Sequence, residues 1–365
     1  MESNGVGMKR KNGYVSRRDC LTVSLTTSQH PDDFVKNAIV TLMVYRAPCC
    51  WWPIGHLRGW RGPSGFGAKS SWRDVLNECK NVRQRTIIIT GATAGIGLET
   101  LKAFASTGAT IIIGARDETK ARNIACELMG KTQSIVRVEK LDLSSLESVR
   151  RFAQSFNDLG LSLDILINNA GLMPCPYDDT KNRDLSFHVN FLSHFYLTEL
   201  LLPSMSTGAR VVNVTSEIYR FSYPSGIRFP IDDAKGYDAV KSYGQSKLAL
   251  LLWTLNQANY LQERGVEIFA VHPGSVRTAG SETARRSSSG WRGAILHCIG
   301  APFVKDVSAG ASTIVFCAAH DVAIRYAHEG YRYFASCNPR GVTAIASNSD
   351  LARRLIDYAT RACDR

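Results

Sequence analysis

The chain lacks several features that would settle its class at once. Its ten cysteines and eight histidines contain no C-x-x-C pair and no paired histidine cluster. Neither a zinc site nor a disulfide framework is therefore indicated, and reduced thiols are expected. No stretch is apolar for long enough to cross a bilayer: Ala38–Tyr45, the longest near the N-terminus, stops at Arg46. The first 30 residues have no apolar core of a secretion signal. The expectation is a cytoplasmic protein without a transmembrane segment, with room only for a peripheral membrane contact. No internal repeat and no nucleic-acid motif is present. The formal net charge of +12 still needs a source, and residues 1–85 supply most of it, with 14 Lys/Arg against 6 Asp/Glu. The basic character belongs to the N-terminal part, and no nucleic-acid partner is expected.

That N-terminal part differs from the rest. Residues 1–70 mix Gly, Ser, Arg and Pro with Trp51, Trp52 and Trp60 and show no sustained period. They read as a poorly ordered, loosely packed extension ahead of a domain over residues 71–365. Ser71 can cap a short helix over Ser71–Lys80, with Trp72, Val75 and Leu76 at helical spacing. Short apolar runs then alternate with amphipathic segments. Strands are expected at Thr86–Thr90, Thr110–Gly114, Ile135–Leu141, Ile165–Asn168, Arg210–Thr215, Val266–His272 and Tyr331–Phe334. Helices are expected at Gly95–Thr107, Glu118–Met129, Ser144–Asp158, Lys181–Met205, Ala239–Arg264, Ala309–His320 and Asp350–Ala362. Buried strands alternating with helices define an α/β fold, a single-domain doubly wound parallel sheet of Rossmann type with about seven strands.

The stretch Thr86–Gly97, TIIITGATAGIG, organises the rest. A buried strand runs into a turn carrying Gly91, Gly95 and Gly97, with Thr93 and Ile96 between them, and a helix follows. Such a turn brings backbone N–H groups and a helix N-terminus to a pyrophosphate, and glycine permits close approach. The spacing is G-x-x-x-G-x-G rather than the commoner G-x-G-x-x-G. The second strand ends at Arg116, where an arginine would accommodate the 2′-phosphate of NADP and a carboxylate would favour NAD. An exposed arginine opening the next helix is the alternative. Asp142 is placed either to bind the adenine amine or to cap the helix near Ser144. Asn168, Ala170 and Gly171, in Asn168-Asn169-Ala170-Gly171, close the fourth strand, where amides can tie strands together and line a cofactor.

Ser216 follows the fifth strand, and Tyr243 and Lys247 stand four apart in Tyr243-Gly244-Gln245-Ser246-Lys247, on one face of a helix. A phenol titrates near ~10, and a neighbouring ammonium favours its phenolate, which suits proton exchange. Ser216 could hold the substrate oxygen while Tyr243 exchanges the proton.

Taken together and in this order, TGxxxGxG, NNAG, the serine, YxxxK, and Pro273-Gly274 with Thr278 resemble the classical short-chain dehydrogenase/reductase family over about residues 80–335. Phe187–Leu197, Val266–Gly274 and Ala309–Ala318 are similar to the oxidoreductase domain of WW domain-containing oxidoreductase and to retinol dehydrogenase-like enzymes. The resemblance implies a catalytic tetrad of Asn190, Ser216, Tyr243 and Lys247. It also implies that Asn190 holds a water joining the lysine to solvent, and a nicotinamide cofactor, NADP on the strength of Arg116 or else NAD. Thr93-Ala94 stands where relatives usually carry Asn-Ser, so a hydroxyl that can touch phosphate is missing. The spacing of Trp52 and Trp72 suits a WW domain. No proline follows three residues after Trp72 and no central aromatic strand intervenes, so none is read here.

Two loops should flank the substrate: Phe221–Tyr237, with Phe221, Tyr223, Phe229 and Tyr237, and Ser275–Val307, with Trp291, Ile295, Leu296 and Ile299. Their lining suits a lipophilic alcohol or carbonyl such as a retinoid or steroid, and equally a packed lid. Arg285-Arg286-Ser287-Ser288-Ser289 has the look of a basic-directed phosphorylation site. The competing function is a cofactor-binding regulatory or scaffold protein that acts through protein partners.

Overall fold

The computed structural model describes residues 61–274 and 306–364. The strands are β1 (Thr86–Thr90), β2 (Thr110–Ala115), β3 (Ile135–Lys140), β4 (Leu163–Asn168), β5 (Met205–Val214), β6 (Val266–His272), β7 (Tyr333–Ala335) and β8 (Asn338–Pro339). They form one sheet in the order β3-β2-β1-β4-β5-β6-β7-β8. All neighbours are parallel except the final pair, β7 and β8. The strand order reverses between β1 and β4, the point at which a sheet of this kind places a ligand beyond the carboxyl ends of its strands.

The helices are α1 (Trp72–Leu76), α2 (Gly95–Ala105), α3 (Glu118–Met129), α4 (Leu146–Asp158), α5 (Ser193–Leu201), α6 (Ala239–Glu263), α7 (Val307–Ala319), α8 (Asp321–His328) and α9 (Ser349–Cys363). Side-chain caps fix several of their starts: Asp117 for α3, Ser145 for α4, Asp238 for α6 and Asn348 for α9. β1 is buried throughout because both of its faces are covered. Ile88 joins a core beneath α4, α5, α6 and α9, while Ile87 and Ile89 join the opposite core beneath α1, α2, α3, α7 and α8. Among the described residues no single helix is long and apolar enough to cross a membrane.

Four sequence expectations need correction. An eighth strand is present, because Ser336 and Cys337 both take left-handed backbone angles (φ 53° and 61°) and turn the chain back along β7. A two-residue strand carries no hydrophobic period to reveal it. The helix expected over Lys181–Met205 is instead a short turn (Leu185–Phe187), a π-turn (His188–Leu192) and α5, and β5 already begins at Met205. Polar Ser206, Thr207 and Gly208 hid the start of that strand. The lead-in helix is only Trp72–Leu76. Finally, residues 61–70 do not hang loose. Phe66 is buried, its ring 5.9 Å from that of Phe316 and 5.4 Å from His320. Asn338 accepts from the Ser64 N–H and donates to the Phe66 carbonyl. A loop held by one aromatic anchor shows no periodicity. Residues 1–60 lie outside the described residues, as does the segment containing Thr278, Trp291 and Arg285–Ser289.

Candidate active site

The β1–α2 turn is shaped for an anion. Gly91 and Gly95 have φ of 67° and 54°. A Cβ on Gly97 would overlap the Gly91 carbonyl and the Asn169 amide, so only glycine fits. α2 begins behind Ala94, which makes no side-chain cap, leaving the first-turn N–H groups open to a phosphate. The absent hydroxyl noted in the sequence thus leaves the cradle to the backbone alone. Thr93 and Ile96 are half-buried in the turn. A pyrophosphate fits this cradle.

Asn169, whose amide is expected to tie strands together, and Thr90, to which the motif gives no role of its own, build the turn. The Thr90 hydroxyl accepts the N–H groups of Asn169 (3.0 Å) and Ala170 (2.9 Å). Asn169 Nδ2 donates to the carbonyls of Thr90 (2.9 Å) and Gly91 (3.3 Å). Asn168 does the strand-tying expected of it but faces inward. It is buried, and its amide donates to Asn213 on β5 and to Thr198 on α5. The alternation of neighbours across a strand is what separates the two asparagines.

Arg116 is exposed beyond β2, and its carbonyl accepts from Lys140 Nζ at 2.8 Å. Asp142 accepts from the Ser144 N–H at 2.9 Å, while Ser145 is the residue that caps α4. Burial pulls the Asp142 carboxyl up, but the Ser144 hydrogen bonds with Arg116 and Lys181 outweigh it and hold the group below the usual range. Pro273 and Gly274 follow β6 at the same end of the sheet.

Lys247 is buried on α6 and donates from Nζ to the Val214 carbonyl at 2.9 Å, two residues before Ser216. The Thr215 hydroxyl bonds the Lys247 carbonyl at 2.8 Å, clamping α6 to the end of β5. Lys247 Nζ lies 5.8 Å from the centre of the Tyr243 ring. Ser216 opens a short turn over Glu217–Phe221 and accepts from the Ile218 N–H. That turn seats against Gly244, where a Cβ would come within 2.9 Å of the Ile218 and Phe221 carbonyls. Asn190 sits in the π-turn. Its Oδ1 accepts from the Leu172 N–H (2.7 Å) and its Nδ2 donates to Leu172 O and Ser246 Oγ. A Cβ on Gly171 would stand 3.3 Å from Asn190 Oδ1 and 3.4 Å from Lys247 Nζ, so these two groups border one space. Asn190 and Lys247 thus face one space, with the Tyr243 ring 5.8 Å from Lys247 Nζ and Ser216 two residues past the Val214 carbonyl that Lys247 holds.

The electrostatics differ from the sequence expectation. Burial pushes the Tyr243 phenol up to about 12 and the Lys247 ammonium down to about 8. Desolvation is the cause for both groups, and in the free chain Tyr243 holds its proton.

Fold and site together define a dinucleotide-dependent oxidoreductase. The short chain dehydrogenase family model matches residues 85–229. Short-chain dehydrogenase TIC 32 A, chloroplastic, of Brassica napus is 37% identical over 324 residues, covering 84% of this chain and 97% of that one. Retinol dehydrogenase 12 of Homo sapiens is 40% identical over 278 residues, covering 74% and 84%. In fold, the chain is similar to L-sorbose reductase of Gluconobacter frateurii, solved with NADPH and L-sorbose (TM-score 0.54, 21% identity, 66% and 92% covered). The chain belongs to the short-chain dehydrogenase family and is an NAD(P)-dependent oxidoreductase.

Proposed function

We propose that the chain interconverts a lipophilic alcohol and its carbonyl, of retinoid or steroid kind, using NADP(H), through Ser216, Tyr243 and Lys247. The observation that carries the mechanism is the seating of Lys247, its Nζ on the Val214 carbonyl and beside Gly171 and the Tyr243 ring. When bound, the nicotinamide supplies or accepts the hydride. Ser216 Oγ holds the substrate oxygen. Tyr243 gives that oxygen its proton in reduction and takes it back in oxidation, which suits a phenol that is protonated in the free chain. Lys247 orients the nicotinamide ribose and, as an ammonium, favours the phenolate once the proton has left. Asn190 stands on the path by which Lys247 reaches solvent. Arg116 meets the 2′-phosphate.

The substrate class rests on the relatives named retinol dehydrogenase and on the aromatic mouth. Tyr237 packs edge-on to Tyr177 at 5.3 Å and donates to the Cys175 carbonyl in the loop after β4. Tyr223 and Phe229, expected in the same lining, support the domain instead: Tyr223 is buried and Phe229 packs on Tyr358 of α9. The test is turnover of a panel of retinoid, steroid and small polar carbonyls with NADPH and NADH. Reduction of lipophilic members with NADPH is expected. NADPH binding with no turnover of any member would favour the scaffold reading.

A further inference from the structure

His194 lies one turn after Asn190, wholly inside the protein, and the proton chemistry above does not use it. Its Nε2 is 3.0 Å from Thr90 Oγ1 and its Nδ1 is 3.0 Å from the Asn190 carbonyl oxygen. Counting protons fixes the roles. The Thr90 hydroxyl has two lone pairs and one hydrogen. The Asn169 and Ala170 N–H groups fill its acceptor side. Its hydrogen has two acceptors in range, the Ile167 carbonyl at 3.4 Å and His194 Nε2 at 3.0 Å, and the shorter contact takes it. Nε2 is then a bare acceptor, and Nδ1 carries the hydrogen and donates it to the Asn190 carbonyl. Burial, with Lys247 as the charged group facing the ring, keeps the imidazole neutral, its pKa lowered to about 4. The carbonyl it holds belongs to a π-turn, an irregular piece of helix of the kind that often marks a functional site.

We propose that His194 is a positioning residue: in its Nδ1–H form it ties the Asn190 carbonyl, through Thr90, to the backbone of Asn169–Ala170, and so sets where Asn190 stands beside Lys247. The cofactor cradle and the proton path are thereby joined by one side chain. The kinetic part of this inference rests on the oxidoreductase mechanism proposed above; the hydrogen-bond part does not.

The test has two arms. Nitrogen NMR of the unliganded full chain, with the His194 signals assigned by loss in His194→Asn, should show Nδ1 protonated and Nε2 bare, unchanged from about pH 6 to about pH 8. The Nε2–H form, or titration within that range, would overturn the proposal. In the second arm, His194→Asn keeps a donor near the Asn190 carbonyl, whereas His194→Gln reaches toward Thr90 and abandons Asn190. The Gln variant should lose about ten- to a hundredfold in kcat, with a displaced pH profile and NADPH affinity within about threefold. The Asn variant should stay within about threefold in kcat with the wild-type profile. Equal losses with an unmoved profile would mean that His194 only fills space. Absence of all turnover in the wild type would sink the proposed function, and the spectrum would still decide the tautomer.

Discussion

The two halves of the site are built differently. The cradle at Gly91–Gly97 is made of backbone: a left-handed turn, an open helix start and a glycine packed against the Asn169 amide. The Tyr243–Lys247 half is made of side chains from α6 and the π-turn, held on backbone groups of β5 and of the loop after β4. Backbone sites depend on spacing within one short stretch. Side-chain sites depend on contacts between residues dozens apart, and are tuned by burial. The cradle should therefore govern affinity, and the second half should govern turnover.

The largest expected effect breaks the two apart. Tyr243→Phe removes the hydroxyl with little change in volume, so kcat should fall by about 10²–10⁴-fold while NADPH affinity and the melting temperature hold. Steady-state kinetics beside a cofactor titration checks this, and near wild-type kcat would remove Tyr243 from the proton transfer. Arg116→Asp works on the other half. It should weaken NADPH by about ten- to a hundredfold, or ~1.5–3 kcal/mol, and leave NADH nearly unchanged. Equal losses for both cofactors would put Arg116 elsewhere.

A smaller effect lies in the pH dependence of stability. The Lys247 pKa near 8 in the fold is below the ~10.4 of an unfolded lysine. Between these values the unfolded chain binds more protons, so this group adds stability as pH rises through the window. At pH 7 the buried ammonium costs roughly 1–3 kcal/mol. Lys247→Met should therefore be more stable than the wild type near neutrality, with the gap closing toward about pH 10. A gap constant with pH, read from denaturant melts of both proteins, would show that Lys247 is not desolvated. The last comparison lies at the N-terminus. A chain starting at Arg61 should melt like the full protein, whereas one starting at Ser71 loses the Phe66 anchor and roughly 2–4 kcal/mol. Identical melting of the two would make the 61–70 segment dispensable.

The same division explains what was legible in the sequence. Gly91, Gly95 and Gly97 announced the cradle, because a backbone device needs glycine at fixed spacing. Tyr243 and Lys247 were legible because the i, i+4 spacing fixes a shared face. Thr90 and His194 were not, since a polar residue at a strand end and a histidine in an apolar helix look like ordinary packing until the fold brings them to 3.0 Å. The inward turn of Asn168, the break of the Lys181–Met205 helix at the π-turn and the raised Tyr243 pKa all follow from contacts that spacing does not encode. Residues 61–70 carry no periodic signal, because an aperiodic loop can still be held by one buried ring and the two hydrogen bonds of Asn338.

Both halves must cooperate in a single event, the passage of hydride between nicotinamide and substrate carbon. Deuterium placed at the reactive carbon of the reduced nicotinamide of NADPH follows that event directly. In a single turnover with a retinoid or steroid carbonyl, the product alcohol should carry one deuterium at its carbinol carbon, in step with NADPH oxidation, and Tyr243→Phe should slow its appearance without loosening NADPH. Product without deuterium, or bound NADPH returned unchanged from every carbonyl offered, would contradict the account.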